Sequence, residues 1–147
     1  AFRSLRFFTV YGPWGRPDMA LFTFANKIVA GEPIDVYNYG DMKRDFTYVD
    51  DIVQGISGLL DQMPEGDEIF NIGNGKQVGL MEFITEIEAN LGRTAEKNML
   101  PMHPADSKET WADIEKLHNH TGYNPKTNVA DGVKEFIDWY KFYYKMN

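Results

Sequence analysis

The sequence has 147 residues, the size of one ordinary domain or part of one, and is long enough to bury a core without disulfides or a structural metal. A hydrophobic fraction of 43%, with eight Tyr, ten Phe and three Trp, belongs to a folded globular chain and not to a disordered one. A formal charge of −7 argues against nucleic acid as a partner. The lack of cysteine rules out disulfides, thiolate zinc sites and cysteine nucleophiles, and no apolar run approaches the ~20 residues that span a bilayer.

The first residues, Ala1 to Arg6, have no apolar core of a signal peptide, so the cytoplasm is the expected compartment. The chain opens without Met and enters a strand-like run at once, which suggests a piece of a longer protein. That run, Leu5 to Val10, predicts a buried strand feeding a loop at Tyr11-Gly12-Pro13-Trp14-Gly15. Asp18 is a candidate N-cap for a helix in which Met19, Leu21, Phe22, Ala25, Ile28 and Val29 recur at helical spacing until Gly31. Ile34 to Tyr37 and Asp45 to Val49 predict two short strands, as a hairpin or as neighbours, around a polar turn at Asn38 to Lys43. Asp50 or Asp51 would cap a second helix with Ile52, Ile56, Leu59, Leu60 and Met63 inward, broken by Pro64. A strand over Glu68 to Ile72 and a helix carrying Leu80, Phe83, Ile84, Ile87 and Leu91, ended by Gly92, come next. A strand near Lys97 to Leu100, an irregular stretch through His103, a short helix over Asp113 to His118 and a last helix from about Val129 complete a mixed α/β pattern. The last helix has Val133, Phe136, Ile137, Tyr140 and Tyr144 on one face and Trp139, Phe142 and Tyr143 elsewhere. It is either a well-covered core helix or one that docks on another domain or subunit.

Three segments could carry chemistry. The loop from Tyr11 to Ala20 puts Arg16 at a strand-to-helix junction, where open α/β folds bind ligands; the alternative is a tight turn with a surface Arg. Lys43 to Asp51 gathers cations, aromatics and acids, and on spacing alone a solvated charge run is the favoured reading. Asn71 to Lys76 has only the tail of a phosphate loop, with Gln77 where Ser or Thr is required, and predicts an Asn-Gly turn. His103, His118 and His120 lack the spacing of a zinc site, and neither G-x-S-x-G nor G-x-G-x-x-G occurs.

Leu5 to Ala20 and Lys43 to Ile52, together with Gly31 to Tyr37, Phe70 to Asn74, Thr110 to Asp113 and Gly122 to Thr127, resemble the C-terminal half of the extended short-chain dehydrogenase/reductase nucleotide-sugar epimerases, nearest to the UDP-glucuronate 4-epimerase branch. The resemblance implies a substrate-binding part plus one strand of a Rossmann sheet, with the NAD-binding Rossmann domain outside these residues. It further implies a UDP-sugar substrate, NAD as cofactor in the full-length parent, and epimerisation by oxidation at C4 and return of hydride to the other face. By the same resemblance Arg44 would contact the pyrophosphate, Tyr37 would cover the uracil, and Asp106 would meet the ribose. Thr9 and Arg16 would flank the sugar, Arg16 facing the uronate carboxylate, and Phe7, Phe8 and Val10 would lie near the nicotinamide. Asp106 follows Ala105 where the family commonly has Gly. The family's catalytic Tyr-x-x-x-Lys has no counterpart here in a suitable context, so the isolated chain is expected to be inactive and not to bind NAD. Other sugars, a 4,6-dehydratase step, or a non-catalytic module that self-associates, possible as a homodimer through its uncovered strand, are the alternatives.

Overall fold

The computed structural model describes residues 2–62 and 65–146. Its elements in chain order are β1 (Arg3–Phe7), β2 (Thr9–Tyr11), α1 (Ala20–Ala30), β3 (Ile34–Val36), a 3₁₀ turn (Tyr37–Gly40), β4 (Lys43–Arg44), β5 (Phe46–Tyr48), α2 (Val49–Asp61), β6 (Glu68–Ile72), β7 (Val78–Gly79), α3 (Leu80–Leu91), β8 (Lys97–Met99), α4 (Glu115–Thr121) and α5 (Val129–Tyr143). The architecture is mixed α/β, with three parallel strand pairs (β1 with β6, β2 with β5, β3 with β8) and one antiparallel pair, β4 with β7.

The single strand expected from Leu5 to Val10 is two strands. β1 pairs Leu5 with Phe70 and Phe7 with Ile72, whereas β2 sets Thr9 opposite Phe46. Between them the Val10 amide turns back onto the Phe8 carbonyl at 3.0 Å, a three-residue turn that moves the chain from one partner strand to another. The expected burial is also corrected. Phe7 is 51% exposed and Phe8 half-buried, because β1 has one neighbouring strand among the described residues and the carboxyl end of the pair is open. The hairpin expected of Ile34–Tyr37 and Asp45–Val49 does not form either. β3 pairs with β8 and β5 with β2, both of them parallel and long-range.

Helix ends divide into those set by backbone and those set by side chains. Gly31 and Gly92 adopt left-handed backbone at the ends of α1 and α3, which glycine does without strain. Asp18 is no cap: it is drawn to Arg16, and Met19 takes the N-cap position without a side-chain bond. Asp50 and Asp51 fall inside the first turn of α2, after Tyr48. Along α2 the inward residues are Ile52, Gly55 and Leu59, while Leu60 is 67% exposed and so leaves the expected stripe. Met63 and Pro64 lie outside the described residues.

Two hydrophobic clusters result. The larger joins α1, α3 and α5 with β3 and β5, around Phe22, Phe83, Phe136, Ile34 and Phe46; Phe46 and Phe83 stack at 3.9 Å. The smaller packs Phe70 and Ile72 of β6, with Leu5 of β1, against Ile52, Leu59, Leu117 and Tyr123. On α5, Val133, Phe136, Ile137 and Tyr140 are buried, Tyr144 is half-exposed, and Phe142 is 84% exposed, so one face serves the core and another remains in solvent.

Candidate functional site

The chain between β2 and α1 lies over the end of the β2–β5 pair. Gly12 is required there: its φ is +142°, and a Cβ would come within 2.8 Å of Val49 Cγ1. The loop then carries Trp14, with φ +60°, and Arg16, which forms a two-point pair with Asp18 at 3.1 and 2.6 Å. That hydrogen bond raises the Arg16 guanidinium above its ordinary value and holds the Asp18 carboxyl below its own.

Two cavities share Thr9, Ala20 and Phe46 as a common wall. One, of about 180 Å³, is lined as well by Asp35, Tyr37, Met42, Arg44 and Asp106. The adjoining one, a narrow pocket of about 30 Å³, includes Val10, Gly12, Gly15, Arg16 and Phe22. Thr9, Tyr37, Arg44 and Asp106 therefore meet in one recess, with Val10 and Arg16 next door. Phe7 and Phe8 line neither cavity, since the turn at Phe8 leaves them at the open end of β1.

In the recess, Arg44 donates from Nη1 to the carbonyls of Lys43 and Lys108, and from Nη2 to Asp106 at 2.7 Å. Its side chain is thus held by backbone on one side and by an exchangeable carboxylate on the other. The segment bearing Asp106 is fastened to β4 by Lys43 N to Lys108 O and Thr110 N to Lys43 O. The Tyr37 ring meets the His103 ring edge-on at 6.5 Å. After Tyr37 the backbone makes three successive left-handed residues, Asn38, Tyr39 and Gly40, held by Asn38 Nδ2 on the Asp41 carbonyl and Tyr39 N on the Leu100 carbonyl.

The charge run Lys43–Asp51 is not a solvated face. Asp45, Thr47 and Asp51 are buried. The Asp45 carboxylate accepts from Thr47 Oγ1, Asn74 N, Gly75 N and Ala112 N at 2.7 to 3.0 Å, and Asp51 accepts from Lys126 N and Thr127 N. This network escapes a sequence reading, because its backbone donors come from 29 to 76 residues away and no local signal separates a buried acid from an exposed one. The Asn74-Gly75 turn does form, with Gly75 left-handed, and its amides serve Asp45, so they do not form an open phosphate cradle.

Tyr39 and Lys43 do stand at Tyr-x-x-x-Lys spacing, but Tyr39 is in the left-handed turn and Lys43 in β4, so the two share no helix face. The His118 and His120 rings pair with the carbonyls of Tyr123 and Gln62, and among the described residues no group of three His, Cys, Asp or Glu could hold a metal ion. No described helix is long and apolar enough to cross a membrane. Burial pushes the Tyr11 and Tyr123 hydroxyls well up; the Tyr123 hydroxyl donates to Gly73 O at 2.8 Å.

Against known proteins, the profile of the NAD dependent epimerase/dehydratase family matches residues 1–73. Protein CapI of Staphylococcus aureus is 48% identical over 97% of this chain and 48% of its own length. A probable UDP-glucuronate 4-epimerase of Rhizobium meliloti (strain 1021) is 43% identical over 97% of this chain and 47% of its own. The solved UDP-glucuronic acid 4-epimerase of Bacillus cereus, in complex with UDP-glucuronic acid and NAD, superposes with a TM-score of 0.88 at 37% identity, over 95% of this chain and 45% of that one. The chain spans about half the length of the curated relatives it matches. By profile over residues 1–73, by sequence and by fold, the chain is similar to members of the NAD dependent epimerase/dehydratase family.

Proposed function

We propose that this chain is the UDP-sugar-binding part of a cytoplasmic, NAD-dependent UDP-glucuronate 4-epimerase. The supporting observation is the shared wall of the two cavities: Thr9 borders both, with Arg44, Tyr37 and Asp106 on one side and Arg16 on the other. A nucleoside diphosphate sugar has the matching polarity, with anionic diphosphate in the middle, base and ribose at one end, and sugar at the other. The Arg44 fork suits phosphate oxygens because it offers paired, charge-assisted donors, and the Asp106 carboxylate can move from that fork to ribose hydroxyls. Tyr37, half-exposed, offers a ring to the uracil.

Arg16 already grips a carboxylate by two points, that of Asp18. An exposed pair of this kind is weak, so a uronate carboxylate can take Asp18's place, with the Thr9 hydroxyl beside it. A neutral hydroxymethyl group at that position would give the guanidinium no partner, which is the basis for preferring glucuronate over glucose.

The residues present fit NAD on its nicotinamide side only. Phe7 offers open apolar surface at the end of β1 and Val10 lines the sugar-side cavity, whereas the glycine turn at Gly73–Gly75 has its amides engaged by Asp45 and is no site for a dinucleotide phosphate. NAD, when bound, supplies the hydride acceptor for the sugar C4 and returns the hydride. This chain's residues bind and orient the sugar nucleotide. A dinucleotide-binding domain would cover the β1–β6 pair, since parallel strands are ordinarily covered on both faces and Phe2, Phe7 and Ile69 stand exposed there. A homodimer through the solvent face of α5, where Phe142 projects, would complete the assembly.

Calorimetric titration of the full-length protein with UDP, UDP-glucuronate and UDP-glucose tests the reading. Arg44→Leu is expected to weaken all three by on the order of tenfold or more. Arg16→Leu should weaken UDP-glucuronate alone. Unchanged UDP affinity in Arg44→Leu removes the diphosphate assignment, and an unchanged sugar preference in Arg16→Leu removes the uronate assignment.

A further inference from the structure

Trp14 combines two costs. It has left-handed backbone, φ +60°, which is an outlier for a bulky aromatic residue, and the residue as a whole is 74% exposed. Such a residue persists when its surroundings over-determine it, and here they come from the far end of the chain. The Trp14 ring lies 5.2 Å from Trp139 and 5.3 Å, edge-on, from Tyr143; Trp139 and Tyr143 stack on each other at 5.3 Å. Trp139 in turn meets Phe22 at 5.7 Å and Phe136 at 5.7 Å, both buried in the larger core. Phe22 also lines the Arg16 cavity, and a Cβ at Gly15 would touch the Phe22 ring at 3.5 Å. The segment Gly12–Asp18 is therefore fixed at one end by Gly12 on Val49 and in the middle by an aromatic clamp rooted in α5. Arg16 stands two residues beyond the clamp.

We infer that Trp14 is a positioning residue: clamped by Trp139 and Tyr143, it fixes the path of the loop and thereby aims the Arg16 guanidinium into the sugar-side cavity. The part of this inference that concerns the sugar rests on the role proposed above for Arg16. The clamp itself does not, because its first effect is on a pair within the loop, Arg16 with Asp18. A loop released from α5 samples many backbone paths and loses that two-point geometry, together with the geometry any other carboxylate needs.

The test uses two readouts on the full-length protein. The first is the Asp18 carboxyl titration followed by carbon-13 NMR, which reports how closely Arg16 is held. The second is the ratio of UDP-glucuronate to UDP-glucose affinity. Trp139→Leu and the milder Tyr143→Ala are expected to move the Asp18 midpoint up toward that of a free carboxyl and to cut the sugar preference by about tenfold. Trp14→Phe, which keeps a ring in the clamp, should restore most of both. Leu60→Ala, on the exposed side of α2, should change neither. An Asp18 midpoint that stays low in both Trp139→Leu and Tyr143→Ala overturns the clamp. A raised midpoint with unaltered sugar preference upholds the clamp and sinks the uronate role of Arg16.

Discussion

Arg44 and Asp45 are neighbours in sequence and opposites in structure. Asp45 is sealed in the centre of a network in which one hydroxyl and three amides answer its two oxygens, whereas Arg44, one residue earlier, opens on a recess with a single carboxylate, Asp106, across from its free edge. A buried charge persists only when fully answered, and a charge left partly unanswered beside a cavity is available to a ligand. The join between β4 and β5, where Asp45 sits between the two strands, puts these two conditions one residue apart. The rigid network serves as the floor from which the exchangeable pair is presented.

The strongest way to break this contrast is Asp45→Ala. It leaves three backbone amides and the Thr47 hydroxyl without a partner in the interior, and a loss of about 3–5 kcal/mol of stability is expected in urea unfolding. A loss below 1 kcal/mol would mean that water replaces the carboxylate and that the network is no floor. Gly73→Ala presses on the same network by sterics alone: its Cβ would lie 2.6 Å from Ala112 Cβ and 2.9 Å from Asp45 Oδ2, and about 1–3 kcal/mol of destabilisation is expected from overpacking. Thermal melts of Gly73→Ala against Gly79→Ala, where a Cβ meets nothing within 4 Å, check it.

The smallest effect concerns the exposed side of the comparison. The Asp18 carboxyl is held below its ordinary value of 3.8 by the hydrogen bond from Arg16. A depressed folded-state value contributes stability at pH above the ordinary carboxylate range, and the contribution disappears as pH falls through the depressed value. Asp18→Asn should therefore lower the melting temperature slightly near neutrality and leave it unchanged at pH below the depressed value, where the carboxylate's contribution is already lost. A change as large in acid as at neutral pH would show that Asp18 supports the loop through its shape, not its charge.

The parts legible in the sequence were those with local causes. Gly31 and Gly92 end helices by their own backbone freedom, and the apolar spacing of Phe83, Ile84 and Ile87 marks the inward face of α3. Glu68–Ile72 is a strand with the bounds its composition indicated. Pairing partners were illegible, because parallel strands such as β3 and β8 meet across some 60 residues and no turn encodes their register. Of the candidate site, Thr9, Tyr37, Arg44 and Asp106 line one recess. The family resemblance gave those positions; charge spacing alone had favoured solvent for Lys43–Asp51. Asp45 and Trp14 lay beyond reach for a common reason: each is defined by groups on distant segments, amides in one case and rings in the other.

The Gly73–Gly75 turn, with its amides committed inward, leaves a further mark on how anions can be held. Under the proposed function a diphosphate meets guanidinium charge with no help from these backbone dipoles, so its hold on this part of the protein is one that dissolved salt can weaken, the reach of exposed charge being about 8 Å at physiological ionic strength. Nucleotide capture here should fade in brine while the fold persists.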